Sequence, residues 1–444
     1  MDKKQSNAGQ FLQYALLNTL GMAGLSLYIL ADTFFISKGL GANGLTALNL
    51  ALPVYNAVHG VGLMLGMGGA TKYSLVKSQG DSERGNRAFT QTLYLMAVTS
   101  LVFMLLGLFA SRQLAELLGA DSEVFEMTRI YLQVILLFSP AFTLNEIFLG
   151  FVRNDGNPRL ATICMLSGSL FNIVFDYIFI FPMGMGIFGA VLATGISPVV
   201  SITLILLTYC RKGKQGFHLL LEKPDRETLG SITSLGIPSF ITEMCTGIVI
   251  LVFNQLMLGL QGNVGVAAYG IVVNISYVMV AVYTGLAQGV QPLISHAYGR
   301  GAGKDVREFF RYSAAAVGLF ALLIFAVIGY FADPIAAVFN SEHYAQLQRI
   351  AVEGQYLYFS AALFTGGNIL LAVYFTAVNR PFPAQLISLL RGIVVIVPMA
   401  VIFSAAWGVR GLWLSYPASE AAVLAVGVVF YMRSPVKTGR KGKK

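Results

Sequence analysis

Charged residues are scarce in this sequence. Asp, Glu, Lys and Arg make up 11% of the 444 residues, whereas soluble globular proteins contain about 25% charged residues. Apolar residues make up 56%, and the mean hydropathy is +0.70. A soluble fold would lack the polar residues needed to cover this much apolar surface. The composition therefore predicts an integral membrane protein.

Sequence signals of several other protein classes are also missing. The three cysteines, Cys164, Cys210 and Cys245, form no CxxC pair, so neither a disulfide framework nor a thiolate metal site is indicated. No Walker A sequence is present, and the clustered Asp-rich motifs of a membrane-embedded prenyltransferase are absent. We therefore predict a protein that is not an enzyme and needs no cofactor.

Long apolar stretches dominate what is present, and they predict an all-α fold with twelve transmembrane helices. The predicted spans are 11–37, 45–71, 89–110, 128–152, 160–181, 187–210, 231–259, 264–295, 309–332, 351–378, 383–404 and 411–432.

Basic residues fall mainly on one side of these spans. The opposite side receives only a few of the 30, namely Lys38, Arg112, Arg129, Arg349 and Arg410. Because Lys and Arg concentrate in cytoplasmic loops, we predict that both termini are cytoplasmic. The net charge of +9 is spread over loops and the tail, which predicts contact with anionic lipid headgroups and no binding of nucleic acid.

The chain divides into two similar halves. The polar connection 210–227 separates six spans from six, which predicts an N-terminal lobe (1–210), a cytoplasmic linker (211–230), a C-terminal lobe (231–432) and a basic tail (433–444). A shift of 221 residues aligns Gly41 with Gly262, and the stretch 188–194 matches 410–416. Two six-helix bundles of equal topology would be related by a pseudo-two-fold axis along the membrane normal, with a transport cavity between them.

Polar residues inside the spans indicate an ion-coupling site in the first lobe. Asn172 and Asp176 are one helical turn apart and share one face. Asp32 in span 1 and Thr194 in span 6 lie at a similar depth. Two nearby carboxylates in a low-dielectric setting cannot both remain ionised cheaply, so the pair should bind H⁺ or Na⁺. The alternative is that Asn172 and Asp176 only hold helices together through hydrogen bonds.

Candidate substrate residues are less distinctive. Glu243 in span 7 would attract a cationic compound if it faced the cavity, or else would pair with Arg391. His59, Asn145 and Met257 are further candidates. His59 is more often a hydrogen-bonded interior histidine, and Asn145 more often holds helices together through hydrogen bonds. Lipid-facing packing explains Met257 equally well. Glu146 and Glu420 are expected to pack outside the cavity.

Several motifs together resemble the multidrug and toxic compound extrusion (MATE) transporters. They are "YILADTFFISKGLGANGLTALNLALPVY" at the end of span 1, "VRNDGNPRLA" after span 4, "NIVFD" in span 5, "GAVLAT" in span 6 and "GLWLSYPASE" in span 12. The resemblance covers nearly the whole chain. It implies a V-shaped exporter of a bacterial inner membrane that moves cationic amphipathic drugs by antiport with H⁺ or Na⁺. We expect this exporter to be a monomer. The resemblance also implies a cation site at Asp32, Asn172, Asp176 and Thr194.

The sequence departs from the family pattern in two places. Span 1 has Gly21 and Gly24 where many relatives have a proline, and span 10 lacks the carboxylate that one branch uses in its second lobe. A lipid-linked saccharide flippase of similar architecture is the alternative function. It should carry several basic residues in its cavity, whereas only Arg391 lies within a predicted span.

Overall fold

The computed structural model describes residues 6–120, 122–212, 216–340 and 344–433, and these ranges contain helices and no strand. The helices before the connection are α1 (Asn7–Gly41), α2 (Thr46–Lys77), α3 (Ser82–Phe109), α4 (Ser111–Leu117), α5 (Phe125–Leu137), α6 (Ser139–Asn154), α7 (Pro158–Ile180) and α8 (Gly186–Lys212). Those after it are α9 (Arg226–Gly262), α10 (Val264–Gly299), α11 (Gly303–Phe339), α12 (Ala345–Ala377) and α13 (Pro381–Arg433).

The prediction of an all-helical membrane protein is confirmed. In the described ranges, ten helices are long and apolar enough to cross a membrane, and there are eleven spans if α5 and α6, bent by 48° at their junction, are counted as one. Helix α13 has 53 residues, which at 1.5 Å per residue is far longer than a bilayer core of about 30 Å. Gly408 interrupts it with non-helical angles of φ 60° and ψ −137°. With this division, each of the twelve predicted spans has a counterpart.

Glycines with positive φ separate consecutive spans at matching positions of the two halves. Gly41 (φ 67°, ψ −156°) ends α1, and Gly262 (φ 61°, ψ −155°) ends α9. Gly186 (φ 61°) lies just before the stretch 188–194, and Gly408 (φ 60°) lies just before the matching stretch 410–416. Residues with a Cβ atom rarely adopt these angles. The internal repeat read from the sequence is thus matched by repeated backbone conformations.

The contacts divide the chain into two compact units: Leu16–Met244, and Met1–Ala15 together with Cys245–Lys444. This division differs from the predicted lobes 1–210 and 231–432. The connection and the first part of α9 group with the first unit, and the start of α1 groups with the second. Phe11 and Ala15 explain the latter, because they pack against the second unit's apolar core.

The connection itself is attached to α3 by polar side chains on successive turns of that helix. Asn86 Oδ1 accepts from the amide of residue 218, Thr90 Oγ1 accepts from that of residue 220, and Gln91 Nε2 donates to the carbonyl of residue 223. Phe217 anchors the segment in the aromatic core of the first unit. The linker predicted at 211–230 is therefore an ordered strap over the described residues 217–225.

Candidate functional site

Four buried polar side chains of the first unit come from three helices. Asp32 lies on α1, Asn172 and Asp176 lie on α7, and Thr194 lies on α8; all four are buried. Asn172 Nδ2 donates to Thr194 Oγ1 at 3.3 Å. The carboxyl groups of Asp32 and Asp176 lie close enough for a proton to form a hydrogen bond between them.

Close packing of α7 against α8 places Asn172 and Thr194 at the same height along the two helices. Ser197 Oγ on α8 donates to the carbonyl oxygen of Gly168 on α7 at 2.7 Å. A Cβ atom on Gly168 would lie 3.3 Å from the Ser197 carbonyl oxygen. Because Asn172 follows Gly168 by one turn and Thr194 precedes Ser197 by about one turn, this contact brings the amide to the hydroxyl.

Several oxygen atoms in this cluster receive no hydrogen bond from the residues that the structure describes. Asp32 Oδ1, Asn172 Oδ1 and both carboxylate oxygens of Asp176 are buried and have no hydrogen-bond partner among the described residues. Ionised carboxylates can only accept hydrogen bonds, so Asp32 and Asp176 cannot satisfy each other without a proton. Leaving buried acceptors unpaired is costly. The donor set fits a proton, or Na⁺, which prefers oxygen ligands.

A second polar cluster in the same unit surrounds His59 on α2. His59 Nε2 lies 3.9 Å from Glu146 Oε1 on α6, and His59 Nδ1 lies 3.7 Å from Glu243 Oε2 on α9. Asn145 Nδ2 is 3.4 Å from Glu146 Oε1. The structure thus brings together three of the predicted substrate residues, and adds Glu146, which the sequence analysis placed outside the cavity.

Two glycines allow the helices to approach His59. A Cβ atom on Gly60 would lie 3.2 Å from Glu243 Cβ, and one on Gly62 would lie 3.2 Å from Glu146 Cγ. A larger residue at either position would push α9 or α6 away from α2. The glycine-rich stretch 60–70 therefore serves close helix packing, as its spacing indicates.

Two tyrosines that the sequence analysis did not single out lie between the clusters. Tyr55 stacks on His59 with ring centroids 5.8 Å apart and an interplanar angle of 8°. Its hydroxyl is 3.2 Å from the hydroxyl of Tyr28, which precedes Asp32 by one turn. The available signal was spacing, because Tyr28 with Asp32 and Tyr55 with His59 are both (i, i+4) pairs.

Two other candidates are placed away from these clusters. Met257 belongs to the second unit, where it is fully buried in the apolar core and offers no surface to a substrate. Glu420 accepts from Arg391 Nε at 2.6 Å and from Asn368 Nδ2 at 2.7 Å. Arg391, the alternative partner predicted for Glu243, is thus paired with Glu420.

Comparison with known proteins identifies the family. The MatE family model matches residues 19–178 and 238–402. The chain belongs to the MatE family. The resemblance stated from the sequence motifs is thus confirmed.

Two curated relatives match this MatE chain over most of its length. Multidrug export protein MepA of Staphylococcus saprophyticus subsp. saprophyticus is 27% identical over 418 residues, covering 91% of this chain and 89% of that protein. MepA of Staphylococcus aureus (strain MRSA252) is 27% identical over 425 residues, covering 95% and 93%.

Solved structures share the fold. The outward-facing conformation of a multidrug resistance MATE family transporter of the MOP superfamily aligns with a TM-score of 0.92 at 23% identity, covering 99% of this chain and 100% of that one. A MOP superfamily transporter from Pyrococcus furiosus, described as having a binding pocket of reversed polarity, aligns with a TM-score of 0.90 at 24% identity, covering 98% of each chain.

Proposed function

We propose that this MatE family member is a secondary active multidrug exporter. It would move cationic amphipathic compounds out of the cell by antiport with H⁺ or Na⁺, from a bacterial plasma membrane in which both termini are cytoplasmic. The names of the MepA relatives support export of several drugs. The chemistry of the first polar cluster supports the coupling to an ion.

The observation that carries this proposal is the set of buried oxygen atoms at Asp32, Asn172 and Asp176 to which no described residue donates a hydrogen bond. In the ion-loaded state, H⁺ or Na⁺ would neutralise the carboxylates. In the ion-free state, their mutual repulsion would favour a conformation in which they separate or gain water. Cargo binding that differs between the two states would then be driven by the ion gradient.

The second cluster supports a cationic cargo. Glu146 and Glu243 place two carboxylates around His59, and the side chain of Glu243 is 30% exposed. Carboxylates and the aromatic face of Tyr55 both attract organic cations. We assign Glu243, His59 and Asn145 to a cargo subsite on this basis.

Anion transport, as expected of a lipid-linked saccharide flippase, has less support. Arg391 lies within a predicted span, but its charge is paired with Glu420, which is 2% exposed. A guanidinium held by a buried carboxylate is poorly placed to bind a pyrophosphate group.

Efflux measurements on charge-neutral variants test the proposal. Asp32→Asn and Asp176→Asn should each abolish ethidium efflux from cells while membrane insertion stays at the wild-type level. Asp81→Asn is the matched control: Asp81 caps α3 by accepting from the amide of Arg84, and Asn caps helices equally well. Wild-type efflux in both Asp32→Asn and Asp176→Asn would refute the coupling role.

Everted vesicles identify the ion. A proton gradient and a sodium gradient, imposed separately, should drive ethidium uptake under only one of the two conditions. Uptake that needs neither gradient would contradict antiport.

A further inference from the structure

Both ring nitrogens of His59 face carboxylates. Nδ1 lies 3.7 Å from Glu243 Oε2, and Nε2 lies 3.9 Å from Glu146 Oε1. A neutral imidazole has one N–H donor and one lone pair, so one of its nitrogens would direct a lone pair at a carboxylate. The imidazolium ion has N–H donors on both sides. The arrangement therefore suits a protonated His59 when no other cation is near.

We propose that His59 is an exchangeable counter-ion of the Glu146 and Glu243 carboxylates, whose proton leaves for bulk water when an organic cation binds between them. The inference rests on the proposed function in one respect, because it takes the cargo to be an organic cation. It adds a titratable group to the cargo subsite, separate from the Asp32 and Asp176 pair.

Charge balance favours such an exchange. With His59 protonated, the two carboxylates and the imidazolium carry a net charge of −1. A bound monovalent cation with neutral His59 also gives −1. The only bond broken is one N–H of the imidazolium, and the proton transfers to water. In a partly buried site, an exchange that keeps the net charge constant avoids the cost of adding a second positive charge.

The side chains around His59 offer several contacts to a bound cation. The distances of 3.7 and 3.9 Å exceed those of well-formed hydrogen bonds, so the imidazolium is not tightly held. The stacked ring of Tyr55 provides an aromatic surface. Asn145 Oδ1 is buried and has no hydrogen-bond partner among the described residues. The side chains of His59 and Glu146 are 18% and 16% exposed, so neither is fully enclosed by protein.

Other charged and titratable groups lie around His59, and their effects on cation binding can be distinguished from the effect of His59. Arg153, further along α6, interacts electrostatically with Glu146 and donates to Asn18 Oδ1 at 2.8 Å. Tyr55 and Arg153 keep their protonation states between pH 5.5 and 8.5. Asp32 interacts electrostatically with Tyr55, and its contribution is removed by the Asn variant.

Proton release on binding tests the exchange. The probe is tetraphenylphosphonium, a permanent cation that carries no exchangeable proton, titrated into purified full-length protein in detergent. Calorimetry in two buffers of different ionisation enthalpy gives the number of protons released per cation bound. We expect about one proton from the wild type near neutral pH and almost none from His59→Gln. Triphenylphosphine oxide, a neutral analogue of similar shape, should release none.

The pH profile separates exchange from a structural role. Linkage of one proton allows the wild-type affinity to rise by at most about tenfold per pH unit, and release of about one proton near neutral pH corresponds to a gain of roughly 100-fold between pH 5.5 and 8.5. His59→Gln should bind equally well across this range and more tightly than the wild type at pH 5.5. His218→Gln, at the histidine of the strap, is the matched control and should behave as the wild type.

Two results would overturn the inference. One is proton release that persists in His59→Gln. The other is release that disappears in an Asp32→Asn/Asp176→Asn double variant with His59 intact. The second result would leave the proposed ion coupling at Asp32 and Asp176 intact. A failure of the proposed function itself would give a different result, namely ethidium efflux that does not depend on Asp32 or Asp176.

Discussion

The buried ion pair of Arg391 and Glu420 offers a quantitative test of what stabilises the second unit. Arg391 lies in a π-helical segment, Leu390–Val394, of α13. Its Nε atom is 2.6 Å from Glu420 Oε1, and Glu420 Oε2 accepts from Asn368 at 2.7 Å. Glu420→Gln keeps the shape of the side chain and its ability to accept from Asn368, but leaves the guanidinium without a counter-charge.

The expected magnitude distinguishes an ion pair from ordinary polar contacts between membrane helices. Removing one partner of a buried pair costs about 3–5 kcal/mol, whereas an interhelical hydrogen bond contributes on average about 0.6 kcal/mol. Glu420→Gln should therefore lower the melting temperature in detergent by on the order of 10 °C. Replacing both residues, in Arg391→Met/Glu420→Met, should recover most of that loss because no isolated charge remains.

Thermal unfolding of Arg391→Met, Glu420→Met and their double variant, followed by circular dichroism, provides the double-variant cycle. A Glu420→Gln protein that melts within about 2 °C of the wild type, or a double variant whose loss equals the sum of the single losses, would refute the reasoning. Ethidium efflux by the double variant should remain, because the pair is assigned a structural role. A stable double variant without efflux would contradict that assignment.

Three further predictions concern single positions. Gly262→Ala places a Cβ atom at φ 61° and should destabilise the protein by about 1–3 kcal/mol in thermal unfolding, while Gly270→Ala, with open space around it, should not destabilise it. Gly236→Ala would place a Cβ atom 1.9 Å from the Met64 carbonyl oxygen and should lower the yield of folded protein in size-exclusion chromatography; a normal yield would contradict the close α2–α9 contact. Hydrogen bonds from the side chain and the amide of Thr228 hold the pKa of Asp225 below its ordinary value. Ionised Asp225 should stabilise the start of α9 above the ordinary carboxyl pKa of about 4, and this stabilisation should be lost as the pH falls through the lower folded-state pKa. Amide hydrogen exchange at residues 227–229 would detect the loss. Asp225→Asn should remove this pH dependence.

The fold was largely predictable because a bilayer imposes simple requirements on a sequence. Long apolar stretches located the spans, and paired glycines such as Gly41 and Gly262 marked the breaks between them. The break inside α13 followed from the same rule, because its 53 residues exceed the thickness of a bilayer. The unit boundary inside α9 was not predictable, since it depends on which side chains pack together and not on where the polar connection lies.

The candidate sites were likewise predictable only in part. Asn172 and Asp176 could be assigned to one face because helical geometry relates residues four apart. The pairing of Glu420 with Arg391 and of His59 with both Glu146 and Glu243 could not, because each contact joins residues far apart in the chain. Met257 shows the limit of arguing from residue type, since its adaptable side chain fills the core.

The sequence by itself determined that this chain spans a membrane, that its two halves repeat, and that Asp32, Asn172 and Asp176 lie at related depths. These properties follow from composition, span length and helical periodicity, which are local. Only the tertiary structure decided which carboxylate meets which cation. That choice is made by helix packing at small residues such as Gly60 and Gly62, where the absence of a side chain on one helix fixes the position of a charge on another.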